Sequence, residues 1–379
     1  MRYWIIGLIV CLLPVGHDLL AQTSLNPDLS VIGDIRVFSH DNGSLPAEAE
    51  KLIVADPQME IVISGYLNPY ARAEAVIGWH GEDQAEIEEI YGTILRGLPL
   101  GMNLRAGKYL LEYGRLNPVH EHAWSFIKRP LPHEHFFGEH GLADMAIRAS
   151  FLLPTGNAYT ELMGGLLKGD ALIGHSHDHD DTDHDHEEET PERIDLGGFS
   201  RLTTSLAVSE NSELAMGISM INSVYSLEGH EDHDDHAEPE QLRAGIYGVD
   251  LKFKNKPSRY TSLQVEGEAL MRIAERHEGD DLKSYGGYLY ADYRFRQKYN
   301  LGGIFEFTSL EEEHDHDGEL EIHDSDIWRA GLFVGLAPVE ETSLVRLTGH
   351  WTESDEDDGF WELALQFVFS LGPHQPHNF

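Results

Sequence analysis

Phe360-Trp361-Glu362-Leu363-Ala364-Leu365-Gln366-Phe367-Val368-Phe369-Ser370-Leu371 decides the fold. In an extended chain Trp361, Leu363, Leu365, Phe367, Phe369 and Leu371 fall on one side, and Glu362, Ala364, Gln366, Val368 and Ser370 on the other. Strands of soluble sandwiches centre on about 5–6 residues, whereas a tilted bilayer crossing takes about 9–11. This stretch has the longer period-two pattern, with one face apolar throughout.

The pattern recurs upstream. Leu214, Met216, Ile218 and Met220 oppose Ala215, Gly217 and Ser219; Leu263, Val265, Gly267, Ala269, Met271 and Ile273 oppose Ser262, Gln264, Glu266, Glu268 and Arg272. Tyr285, Gly287, Leu289, Ala291, Tyr293 and Phe295 likewise oppose Tyr288, Tyr290, Asp292, Arg294 and Arg296. Strands are predicted at 28–38, 58–67, 70–80, 85–96, 101–112, 141–152, 158–168, 196–209, 213–223, 241–254, 259–274, 284–296, 299–309, 326–337, 342–353 and 360–371. Sixteen is an even number, as bacterial outer-membrane barrels require, so the expected fold is all-β: a 16-stranded antiparallel transmembrane β-barrel. Short turn-forming connections, such as Pro154-Thr155-Gly156-Asn157 and Glu210-Asn211-Ser212, alternate with long ones. With both chain ends in the periplasm, the long connections face outside.

Residues 1–22 carry Arg2, an apolar run from Trp4 to Val15 and a small residue at Ala21, the pattern of a secretory signal peptide too short to span a membrane. A lipoprotein site at Cys11 would cut the apolar run in half. Residues 23–379 are then one outer-membrane barrel domain without cysteine, so metal chemistry rests on His, Asp and Glu. The formal charge of −39 repels nucleic acid and attracts cations. No later stretch has 18 consecutive apolar residues, which excludes a helical membrane protein.

The histidines are sorted by connection. Those at 113–140, 169–195, 224–240 and 310–325 hold 16 of the 23 in the chain. His175, His177, His179, His184 and His186 lie in HSHDHDDTDHDHEEE; His230, His233 and His236 lie in HEDHDDHAEPE; His314, His316 and His323 lie in HDHDGELEIHD. A looser group holds His120, His122, His133 and His135. Imidazole alternating with carboxylate supplies nitrogen donors and neutralising charge for Zn²⁺, Cu²⁺ or Ni²⁺. No tightly bound cofactor is expected. Exchangeable Zn²⁺, or Cu²⁺ or Ni²⁺, is, because each binding event must order a mobile loop and that entropy cost limits affinity. The plainer alternative is a solvated acidic surface whose histidines sense pH. In the 113–140 stretch Trp124, Phe126, Phe136 and Phe137 point to a packed or inward-folded loop with partly structural histidines.

If the apolar faces meet lipid, the lumen receives Arg72, Glu74, Glu266, Glu268, Arg272, Asp292, Arg294, Arg296, Arg346 and Glu362. No HExxH, GxSxG, P-loop or dinucleotide fingerprint is present, so no enzyme is expected, although Ser125 with His122 is an imaginable nucleophile and base.

Leu25-Asn26-Pro27-Asp28-Leu29-Ser30-Val31-Ile32-Gly33-Asp34 resembles the opening of a family of bacterial outer-membrane proteins described as zinc-regulated. Gly107-Lys108-Tyr109 and Tyr113-Gly114-Arg115-Leu116-Asn117-Pro118-Val119-His120-Glu121-His122-Ala123-Trp124 resemble the same family's strand-and-loop pattern, and with the His-rich loops and Gly372-Pro373-His374 the resemblance spans most of the mature chain. That family is often labelled TonB-dependent, but sixteen strands in a chain of this length leave no room for an N-terminal plug. The resemblance therefore implies zinc-linked transport across the outer membrane without energised gating. A looser likeness to phosphate-selective porins supports the barrel, while the acidic charge opposes phosphate as cargo.

The expected function is an outer-membrane channel that captures divalent transition metal on its outer loops and lets it pass passively. The alternatives are a metal-buffering surface protein anchored by its barrel, or a general porin for small solutes. The expected partners are outer-membrane lipid and metal ions; a homotrimer is common among porin-like barrels of this strand count, and no interface pattern in the sequence decides it.

Overall fold

A computed structural model describes residues 27–43, 51–81, 84–138, 140–169, 172, 196–225, 242–276, 279–316, 319–339, 342–355 and 358–372. The signal peptide assigned to 1–22 lies outside these residues, as do the histidine clusters at 175–186 and 230–236.

Seventeen strands run in chain order: β1 Asp28–His40, β2 Ile53–Val54, β3 Gln58–Asn68, β4 Ala71–His80, β5 Glu86–Ile94, β6 Asn103–Leu110, β7 Ala143–Leu153, β8 Tyr159–Leu167, β9 Gly197–Ser209, β10 Ser212–Tyr225, β11 Leu242–Ser258, β12 Thr261–Ala274, β13 Leu282–Phe295, β14 Tyr299–His316, β15 Glu319–Val339, β16 Ser343–Ser354 and β17 Phe360–Leu371. Among the described residues one α-helix, α1, spans Leu131–Phe137. Sixteen of the strands form the wall; β2 only extends the edge of β3 by pairing Val37 with Val54 and Phe38 with Ile53. Each wall strand pairs antiparallel with its chain neighbours, and β1 closes the sheet on β17, Val31 opposite Leu371 through His40 opposite Glu362. Closure leaves no unpaired edge, the condition a sheet must meet in lipid.

The pleat sorts residues as the sequence pattern requires. In β15 Leu332 is 71% exposed on the outer wall, while its neighbour Phe333 is 1% exposed inside. Ile218, Val249, Leu289, Leu301, Phe305 and Leu363 continue the outward apolar belt. Exposed tyrosines 66, 70, 159, 260, 293 and 299 sit by the short turns at one rim, and Tyr247, Tyr285, Trp328 and Trp351 lie toward the other. Two aromatic girdles bounding an apolar band are what a lipid-facing wall needs. The longest connections, those after β6, β8 and β10, leave the same rim, which is therefore the extracellular one.

Two expectations are corrected. The connection at 310–325 is not a loop: β14 and β15 continue pairing to His316 opposite Glu319, so the hairpin rises beyond the wall. β-Branched and leucine residues at Ile322 and Leu320 favour this extension over coil. Arg296 does not reach the lumen either; it occupies the exposed turn after β13 with φ 55°. Its left-handed backbone, shared with Gln297 at φ 60°, makes the tight three-residue reversal, 296–298, into β14.

Candidate functional site

The segment between β6 and β7, residues 111–142, folds into the barrel. Its backbone leaves the sheet at Leu111, and Gly114 turns with φ +60° where a Cβ would overlap the Glu268 carboxylate. Tyr113, Leu116, Trp124, Phe126, Ile127, Leu131, Phe136 and Phe137 are all buried. Phe126 packs edge-on to Tyr290 at 5.2 Å and lies 6.2 Å from Phe333, and Tyr113 meets Phe137 at 5.2 Å. The expectation of an inward-folded aromatic loop is borne out. The lumen wall answers it with aromatic residues of its own: Tyr288 and Tyr290, which the alternation set opposite the apolar face, and Phe333, which it did not single out.

Polar contacts pin this segment to each strand from β10 to β17. Gly114 N donates to Ser219 Oγ (3.1 Å), Arg115 pairs with Asp250 (2.6 Å), and Arg115 N and Leu116 N donate to Glu268 Oε1 (2.6 and 3.0 Å). Ser125 Oγ donates to Asp292 (2.8 Å), and Leu131 N to Glu306 (2.8 Å). Arg329 donates to the Arg129 carbonyl, Arg346 to the Trp124 and Phe126 carbonyls, and Lys128 pairs with Glu362 at 3.4 Å. Arg36 of β1 holds Glu121 at 3.0 Å. Buried backbone carbonyls and amides cost free energy unless paired, so a loop can enter a lumen only where the wall supplies such donors and acceptors. Ser125 is occupied by Asp292 and Arg294, while His122 faces Glu60, so the two do not form a nucleophile and base pair.

The four histidines singled out in this segment, of its five, separate. His133 is fully buried, with Nε2 3.0 Å from Glu268. His135, half-buried on α1, has its pKa lowered: burial disfavours the imidazolium, and Arg329 and Arg272 add to this against Glu134 and Glu312. His120 and His122 stack at 5.8 Å near the outer ends of β3 and β5. Glu60 of β3 and Glu88 and Glu89 of β5 converge on them. His120 Nδ1 lies 3.4 Å from Glu60 Oε2 and 3.7 Å from Glu88 Oε2, and its Nε2 lies 2.7 Å from Glu89 Oε1. Burial works against charge on His120, but Glu60, Glu89 and Glu88 outweigh it and push its pKa up to about 10. His80 of β4 reaches Glu88 Oε1 at 3.1 Å, and His122 Nδ1 reaches Glu60 Oε1 at 3.3 Å.

A bulge explains the convergence. The β4–β5 register shifts between Val76, opposite Glu89, and Ile77, opposite Ile87, so Glu88 is the extra residue and two consecutive carboxylates turn to the same group of imidazoles. Gly78 makes room, since a Cβ there would overlap the Glu88 carboxylate. The sequence offered only Glu86-Ile87-Glu88-Glu89 as a signal, and a bulge does not announce itself in alternation.

At the rim, the β14–β15 hairpin sets Glu312 opposite His323, His314 opposite Glu321 and His316 opposite Glu319. These positions have the parity of Glu306, Thr308 and Leu310, the lumen-facing set lower in β14. Glu312 and His323 are exposed.

No family model matches the chain. A curated protein of Aquifex aeolicus (strain VF5), described as uncharacterized, is 28% identical over 337 residues, covering 84% of this chain and 69% of its own length. Among solved structures, a loop-deletion form of the outer-membrane protein OmpT of Vibrio cholerae superposes with a TM-score of 0.57 at 7% identity, covering 91% of this chain and 99% of its own. An anion-selective porin from Comamonas acidovorans also gives 0.57 at 8% identity, covering 91% and 99%. The outer-membrane channel DcaP of Acinetobacter baumannii gives 0.53 at 10% identity, covering 92% and 98%. The fold is thus the porin-like barrel of the bacterial outer membrane.

Proposed function

We propose that the protein is an outer-membrane channel that gathers divalent transition metal, zinc foremost, at its extracellular mouth and lets it pass down the lumen without an energising partner. The observation that carries this reading is the β14–β15 hairpin, whose register sets three histidines each opposite a glutamate at positions in step with Glu306, Thr308 and Leu310. Directly opposed residues on an antiparallel pair have Cβ atoms about 4.5–5.5 Å apart, a span that two side chains close around one ion. Imidazole with carboxylate suits Zn²⁺, and Cu²⁺ or Ni²⁺ by the same donors. The resemblance to zinc-regulated outer-membrane proteins supports the same cargo. The His/Asp runs at 175–189 and 230–240 belong to connections leaving this rim and would add weak, exchangeable sites.

A second reading has its own support. The 111–142 segment is pinned to so many strands that the barrel could serve as an anchor for metal-binding connections, with little flux. Planar-bilayer conductance of the purified protein decides between them: zinc-dependent current is expected, and its absence in every preparation sinks the channel. Titration with Zn²⁺ against a variant lacking 175–189 tests the connections; unchanged stoichiometry removes them as ligands. As a trimer is the form in which one OmpT structure was solved, cross-linking in native membrane is expected to trap three copies.

A further inference from the structure

We infer that Glu60, Glu88 and His120 form a discrete divalent-cation site inside the outer mouth, distinct from the exchangeable ligands of the rim. The inference deepens the proposed function by giving the transiting ion a defined resting point, and its binding test stands apart from any flux measurement.

Three donor atoms point at one another. Those of Glu60, Glu88 and His120 all lie within 4.8 Å. The separations from His120 Nδ1, 3.4 Å to Glu60 Oε2 and 3.7 Å to Glu88 Oε2, match a tetrahedral edge of about 3.4 Å, as metal–ligand arms of about 2.0–2.1 Å require. The opposite atom of each ligand is already held by another side chain. His122 Nδ1 meets Glu60 Oε1, His80 Nε2 meets Glu88 Oε1, and His120 Nε2 meets Glu89 Oε1. A carboxylate on the far nitrogen of a ligating histidine fixes its ring and tautomer, and such supports are what separate a built metal site from an accidental cluster. Glu60 Oε2 is buried and accepts no hydrogen bond among the described residues.

Charge pairing sets this cluster apart from most of the lumen. Elsewhere most buried acids face fixed cations: Asp34 faces Arg36, Glu112 faces Arg148, Asp250 faces Arg201, Glu266 faces Lys252, and Glu306 faces Arg329, while Glu268 faces the single imidazole of His133. Around Glu60, Glu88 and Glu89 the ion-pair partners among the described residues are imidazoles alone. Clamping of the segment to the wall is done by Arg329, by Arg346 and by the lone His133–Glu268 pair, whereas here three imidazoles, His80, His120 and His122, meet three carboxylates. Imidazole differs in being able to lose its proton and donate a nitrogen lone pair to a metal. His120 and Glu88 keep 21% and 22% of their side-chain surface, so an ion can arrive from the mouth. One nitrogen and two carboxylate oxygens, with water completing the shell, suit Zn²⁺ and the probe ion Co²⁺.

The test uses the full chain purified in detergent, in a background lacking 175–189 and 230–240 and carrying His314→Ala, His316→Ala and His323→Ala, so that the rim contributes no imidazole from those clusters. Co²⁺ titrated into this protein is expected to give the visible absorption of a nitrogen–oxygen site at one ion per barrel, displaced by one equivalent of Zn²⁺. Glu60→Gln, Glu88→Gln and His120→Gln should each weaken binding at least tenfold, and Glu89→Gln should weaken it about 10–100-fold by freeing the His120 ring. Heat-modifiable migration on gels verifies that each variant is a folded barrel; if His120→Gln does not fold, the two conservative glutamine variants carry the comparison. No bound ion in the rim-stripped barrel, or binding indifferent to Glu60→Gln and Glu88→Gln, overturns the site. Zinc flux into vesicles separates the two claims: binding without flux sinks the channel and leaves the site, whereas flux without binding does the reverse.

Discussion

His133 Nε2 lies 3.0 Å from Glu268 Oε2, and neither side chain is reached by solvent. Glu268 also accepts the backbone N–H groups of Arg115 and Leu116, so one wall carboxylate holds both ends of the inward segment. Removing it leaves an imidazole and two amides buried without their acceptor. Breaking a buried pair of this kind costs about 3–5 kcal/mol. Glu268→Ala should therefore release residues 113–137 to protease in folded vesicles while the strands stay protected, and raise conductance. An intact protease pattern would show that the segment is held by its aromatic contacts instead.

Arg329 and Arg346 donate to carbonyls of Arg129, Trp124 and Phe126, fixing the apex of the same segment from β15 and β16. Hydrogen bonds to charged groups contribute about 1.5–3 kcal/mol each. Arg346→Ala should widen the lumen and raise single-channel conductance several-fold; the double variant with Arg329→Ala should exceed either alone. Equal conductance in all three would mean that ions pass elsewhere.

The barrel itself was legible because lipid imposes one rule on every strand: apolar out, at period two, for about ten residues. The bounds read for β1, β9 and β17 differ from the structure by at most two residues. Three things were not legible. The outer hairpin was missed because Glu312, His314 and His316 look like solvated coil when no apolar face is required above the membrane. Glu88 was missed because a bulge breaks alternation at the one place where it matters. Glu60 was missed because its value comes from residues 60 and 62 positions away, at His120 and His122, brought to it only by the fold of 111–142. The histidines of that segment were rightly suspected of packing roles, as His133 bears out.

His135 supplies a pH dependence. Its folded pKa lies below the ordinary 6.5 because burial, helped by Arg329 and Arg272, disfavours the imidazolium. The undocked segment therefore binds a proton before the docked one does. Stability of docking is full above about pH 6.5 and falls as pH drops toward the folded value. Conductance noise from an unsettled segment should increase on acidification below about pH 6.5, and His135→Leu should flatten this response. A response unchanged in that variant would assign the proton to another group.

Leu332 and Phe333 test the wall from its two sides. Leu332 pairs with Gly303 and Gly349 midway between the aromatic rims and faces lipid. Phe333 faces the lumen against Phe126. Arginine on the lipid face near the midplane costs about 2–4 kcal/mol in a transmembrane barrel. Leu332→Arg should lower folding stability in urea-titrated vesicles by that amount without altering the protease pattern of 111–142. Phe333→Ala removes a buried aromatic side chain, at about 3–5 kcal/mol, and should loosen that segment as well. The two variants thus differ in kind: the first weakens the barrel in its membrane, the second the packing inside it. If Leu332→Arg were neutral, residue 332 would not face hydrocarbon, and the assignment of inner and outer faces would have to be reversed.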